Sequence, residues 1–105
     1  MKADILSALS MARGAGKLQI GYDASKDAVA DGAELVVLAS DASERTKRSV
    51  MNFCGEAGTE CRELDITQEE FSGKFGWKFG VAAVTDRNFA KLVRMKIEAK
   101  QEDRK

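Results

Sequence analysis

Leu35, Val36, Val37, Leu38 and Ala39 form the least ambiguous part of the chain's apolar pattern. So short a run with β-branched members predicts a strand covered on both faces, hence central in a sheet. Ser40, Asp41, Ala42 and Ser43 end it with residues suited to turns and helix starts, and a charged segment of helical period follows from Glu44. Val81 to Val84 reads as a second buried strand, closed by Thr85 and Asp86.

The remaining elements follow from period and punctuation. Ile5, Leu6, Leu9 and Ala12 predict a first helix over Asp4 to Arg13, stopped at Gly14 and Gly16. Lys17 to Ile20 alternates polar and apolar, as a short edge strand would. A second helix runs from about Asp23 to Asp31, with Ala24, Ala28 and Val29 inward and Gly32 turning the chain back. A third spans about Glu44 to Gly55, with Thr46, Val50 and Phe53 on one stripe and Gly55 and Gly58 ending it. Thr59 to Leu64 reads as a strand. Thr67 and Glu70 have capping-box spacing, which starts a short fourth helix. Phe89, Leu92, Val93 and Ile97 line a last helix, and Glu98 to Lys105 is a charged tail expected to fray. The order α-β-α-β-α-β-α-β-α predicts an α/β fold, a three-layer α-β-α sandwich around a four-stranded mixed sheet, with one domain over residues 1–97.

Composition narrows the function. The chain has 105 residues, with Lys plus Arg and Asp plus Glu both 17, so no global basic field announces a nucleic acid and any such partner must meet a local patch. There is no histidine to join Cys54 and Cys61 in a metal site, and no metal or cofactor is expected. The two thiols are read as reduced and incidental. No stretch reads as a signal peptide or membrane span, and a cytoplasmic location is expected.

Candidate chemistry is sparse. Gly14-Ala15-Gly16-Lys17-Leu18 lacks the first glycine and the hydroxyl of a phosphate-binding loop, since Met11 and Leu18 stand at those positions, and it follows a helix rather than a strand. Asp41 ends the central strand where open α/β sheets place ligand-facing residues, yet lacks the companion carboxylates and lysine of a phospho-acceptor, and reads as a turn or capping residue. No base, activated thiol or carboxylate pair suggests an enzyme. The segment Gly73-Lys74-Phe75-Gly76-Trp77-Lys78-Phe79-Gly80 stands out. Trp77 and Phe79, two apart on an extended loop, would face one side and could stack unpaired bases, the alternative being a hydrophobic clamp. Arg45, Lys47 and Arg48 place cations near the end of the central strand.

Three stretches, collinear from about Ala12 to Leu92, resemble the kink-turn RNA-binding ribosomal-protein family of the L-seven-Ae type, and within it the small bacterial YlxQ and YbxF branch. They are Gly16-Lys17-Leu18 with Gly21, Leu35 to Ser43 with its Ala-x-Asp-Ala-Ser ending, and Gly76 to Val84. Asp86-Arg87-Asn88-Phe89-Ala90-Lys91 is similar to the bacterial branch in particular. The resemblance implies a sandwich that grips a sharply bent RNA with one end of its sheet. The family's second helix opens Gly-Thr-Asn-Glu-x-x-Lys to read sheared G·A pairs, and an Ile-Glu-Val-like loop packs on extruded bases. Here the corresponding positions are Gly21, Tyr22, Asp23, Ala24, Ser25, Lys26 and Asp27, with Trp77, Lys78 and Phe79 in the loop. Asp23, Ala24 and Asp27 depart from the family's side chains, and Asp23, Asp27 and Asp31 share one helix face that would repel phosphate.

The resulting expectation is a monomeric, non-enzymatic protein that binds structured or ribosomal RNA. Its site would comprise Gly21, Tyr22, Asp23, Lys26, Arg45, Gly76, Trp77, Lys78 and Phe79, with no membrane and no small-molecule substrate. The alternative, motivated by zero net charge and the acidic row, is a protein-interaction module that keeps the sandwich without RNA.

Overall fold

A computed structural model describes residues 2–102, with side chains described through Ala99. The elements are α1 (Lys2–Gly14), β1 (Leu18–Ile20), α2 (Tyr22–Ala30), β2 (Leu35–Leu38), α3 (Glu44–Ala57), β3 (Glu60–Glu63), α4 (Gln68–Phe75), β4 (Val81–Val84) and α5 (Arg87–Glu102). The strands form one sheet in the order β1-β4-β2-β3. β4 runs antiparallel to both neighbours, and β2 and β3 are parallel, so β1, β2 and β3 all point one way. Helices cover both faces, which gives the expected α-β-α sandwich with a mixed sheet.

The alternation along β2 explains the two cores. Leu35 and Val37 face one side, with α1, α4 and α5. Val36 and Leu38 face the other, with α2 and α3. All four are fully buried, and each contributes about 1.5–3 kcal/mol of transfer free energy. The first core holds Phe71, Phe75 and Phe79; the second is built mainly of alanines and valines.

Three boundaries differ from expectation. Gly55 lies inside α3, which continues to Ala57 and ends on a left-handed Gly58, where the Thr59 N–H returns to the Cys54 carbonyl at 2.9 Å. Gly73 lies inside α4, so only residues 76–80 of the glycine-aromatic segment are loop. Phe71 and Phe75, one turn apart and both buried, gain more from the core than Gly73 loses in propensity, about 1 kcal/mol. Residues 98–102 continue α5, and 103–105 lie outside the described residues. No helix among the described residues is long and apolar enough to cross a membrane.

Candidate nucleic-acid interface

Because β1, β2 and β3 point one way and each is followed by a helix, α2, α3 and α4 all begin at one end of the sheet, where β4 also starts. Open α/β sheets place their binding crevices beyond such strand ends. The three helix starts are finished differently. Ser43 caps α3 by accepting the Thr46 N–H at 3.1 Å. Thr67 and Glu70 form the expected capping box on α4. Asp41 accepts the Gln68 N–H at 2.9 Å, so it caps α4 across the rim rather than α3, which follows it in sequence. At α2 the N-cap is Gly21, with φ of 106° and no side-chain cap, so its first-turn N–H groups have no side-chain acceptor, although Asp23 in that turn sets a carboxylate against the helix's positive end.

The loop of residues 76–80 lies beside this helix start. The Gly21 N–H donates to Val81 O and the Ala39 N–H to Gly80 O, both at 2.9 Å, joining the loop's end to β1 and β2. A side chain at Gly80 would put its Cβ 3.3 Å from that of Ala42, so the loop lies close against the turn after β2 and a larger residue there would have to push that turn back by a few tenths of an ångström. The result is an open groove of about 490 Å³ that brings together Gly21, Tyr22, Trp77, Lys78 and Phe79.

The two rings differ in fate. Trp77 is 45% exposed, whereas Phe79 is 7% exposed and stacks on Phe71 at 4.5 Å between centroids. The expectation of two open faces is therefore corrected for Phe79. Its ring completes a cluster with Phe75 at 5.4 Å, and little of it is left to line the groove. Trp77 tilts over it at 6.1 Å. Lys78 is exposed and pairs with Glu69 at 3.2 Å, a surface contact worth about 0–1 kcal/mol that a phosphate could replace.

The other sequence candidates are less closely gathered. Tyr22 lies edge-on to Phe53 with its hydroxyl bonded to Ser49 Oγ, so it ties α2 to α3 while forming part of the groove wall. Arg45 is exposed in an adjoining hollow shared with Tyr22 and Thr46. Gly76 is the left-handed cap of α4 and, like Asp23 and Lys26, does not line the groove. Asp27 and Asp31 line a separate hollow of about 470 Å³ with Gln19 and Thr85, and that hollow shares no residue with the groove. Lys47 is largely used internally: its amine donates to Ser40 O at 2.8 Å and pairs with Glu63 at 3.3 Å, holding the loop after β2.

Two contributions escaped the sequence. Ser43, Thr46 and Gln68 line the groove; the spacing of Ser43 and Thr46 is a capping signal, but nothing local aims either at Trp77. Arg13 sits over Trp77, 4.8 Å from its centroid, a long-range contact with no sequence signature. Both thiols are free. Burial pushes the Cys54 thiol up; burial and the neighbouring Cys54 push Cys61 up to about 12, so neither is a thiolate at neutral pH. Among the described residues, no group of three or more His, Cys, Asp or Glu side chains is placed to hold a metal ion.

This arrangement belongs to a class of α/β sandwiches already represented among solved structures. The chain is similar to a protein with unknown function from Bacillus halodurans C, with a TM-score of 0.83 and 28% identity over 91% of this chain and 98% of that one. It is also similar to the Giardia lamblia 15.5kD RNA binding protein, with a TM-score of 0.73 and 18% identity over 93% of this chain and 88% of that one. The second likeness is one of fold. No family model matches the sequence, and no curated protein is significantly similar to it.

Proposed function

We propose that the protein is a non-enzymatic, monomeric RNA-binding protein whose site is the groove between the start of α2 and the loop of residues 76–80. One observation carries this: a helix start without a side-chain cap opens beside an exposed indole and an exposed lysine in one groove. Backbone N–H groups at a helix start donate to phosphate or base acceptors, lysine supplies charge, and an open ring takes an unstacked base. The shared fold with the Giardia RNA binding protein supports the same partner class.

The finer form of the proposal is a sharply bent, kink-turn-like or ribosomal RNA, as the resemblance to the YlxQ and YbxF branch implies. Asp23 and Ala24 stand where that family has asparagine and glutamate, so recognition would lean more on the loop and backbone than on α2 side chains.

The test is to titrate a labelled kink-turn hairpin and a panel of other folded RNAs at low and physiological salt. Binding is expected to weaken with salt and with Lys78→Ala, which removes about one phosphate contact from the salt slope. Absence of binding to every RNA, or binding indifferent to both Lys78→Ala and Trp77→Ala, would defeat the proposal.

A further inference from the structure

The groove occupies only one side of Trp77. On another side lies the last turn of α1, where the Arg13 guanidinium carbon sits 4.8 Å from the Trp77 centroid and 5.9 Å from that of Phe75. Arg13 is exposed, and the Gly14, Ala15 and Gly16 that follow it are exposed as well, with open space at both glycines. The indole thus stands between a groove with a helix start and a lysine, and a second surface with a cation and little side-chain bulk. Phe79, itself buried against Phe75, is packed against it.

From this juxtaposition we infer that the RNA interface continues past the groove, over Trp77 and onto the last turn of α1, where it takes a single-stranded segment flanking the folded RNA. This rests on RNA binding at the groove. Bases inside a duplex have both faces covered by their neighbours, so an open indole can stack only on an unpaired one. The Arg13 guanidinium lies over that ring, so a base either stacks on the face it leaves free, with the cation strengthening the stack, or displaces it, and the cation then meets the phosphate of the stacked nucleotide. The small residues after Arg13 let the strand's backbone approach. The folded part of the RNA is held in the groove, and the flank adds affinity without requiring a particular sequence.

Trp77 is the sole tryptophan, so its fluorescence reports this surface directly. The experiment uses the full chain, one kink-turn hairpin with and without an extension of about five uridines, within the site sizes usual for single strands, and the uridine strand alone. Affinity is followed by the anisotropy of labelled RNA and stacking by tryptophan quenching. We expect the extension to tighten binding about tenfold and to quench Trp77 beyond what the hairpin alone does. Trp77→Ala should abolish that gain, and Arg13→Gln should reduce it and lower the salt slope by about 0.7. Arg13→Gln should leave the unextended hairpin unchanged. If the hairpin binds but the extension adds neither affinity nor quenching, the inference fails and RNA binding at the groove stands. If the gain survives both substitutions, it fails likewise. Quenching by the uridine strand with no hairpin binding would support the stacking surface and reject folded RNA as its companion. No response to any RNA would overturn both. Because quenching is read on the unsubstituted protein, a variant that misfolds does not decide the result.

Discussion

The two ends of the sheet use their polar groups in different ways. At the end where α5 begins and β2 starts, one set is tied together within the chain: Arg94 donates to Glu60 at 2.6 Å and to Glu34 O at 3.2 Å, Glu60 also holds Arg62, and Asp86 accepts the Phe89 N–H at 3.0 Å, while Asp31 and Thr85 line an open acidic hollow. At the other end Ser43, Asp41 and Thr67 close two helix starts, but the third opens beside Trp77 and Lys78. Both ends hold an open hollow, but the one at the first end is lined by Asp27 and Asp31, and the one at the other by an indole, a lysine and a helix start. The difference teaches that exposure at the rim is built on local rigidity: the Phe79 anchor and the Asp41 cross-cap fix the loops that the open groups stand on.

Breaking that rigid base should have the largest effect. Phe79→Ala removes a ring stacked in the core and is expected to cost about 3–5 kcal/mol in denaturant unfolding, more than any rim substitution. Trp77→Ala, two residues away, should change stability by no more than about 1 kcal/mol, the scale of an exposed cation-ring contact, while weakening RNA binding about tenfold. Equal losses of stability for the two rings would erase the distinction between them.

Asp41→Ala should cost about 1 kcal/mol by uncapping α4, with faster amide exchange near Gln68. At the opposite end, Arg94→Ala should cost a similar amount, about 1 kcal/mol, because its hydrogen bonds are partly exposed, and it should leave RNA affinity unchanged. The smallest effect is one of pH. Burial pushes the Glu60 carboxyl up, but hydrogen bonds and charge from Arg94 and Arg62 outweigh it and hold the group below its ordinary value of 4.5. Its contribution is therefore complete above that value and lost as pH falls through the lower folded value. Glu60→Gln should flatten the acid limb of the stability curve, and an unchanged limb would show that this carboxylate does not matter there.

Much of the frame was legible locally. The five-residue apolar run at 35–39 marked the central strand because only a strand covered on both faces needs no alternation. Thr67 and Glu70 announced the start of α4 through spacing that serves two backbone groups at once. Gly73 was less legible, since burial of Phe71 and Phe75 outweighed its helix cost, and burial belongs to the assembled core. The site was legible in part. Gly21, Tyr22, Trp77 and Lys78 meet in one groove, but Asp41 serves a helix 27 positions away and Arg13 reaches an indole from another layer.

By itself, then, the sequence determined which segments become strands and helices and where most begin, because hydrophobic period and capping act over a few residues. Only the tertiary structure decided which of two nearby rings is core and which is surface, which helix an aspartate caps and which cation covers the indole. Those outcomes depend on contacts between segments far apart along the chain, whose geometry exists only once the layers have packed.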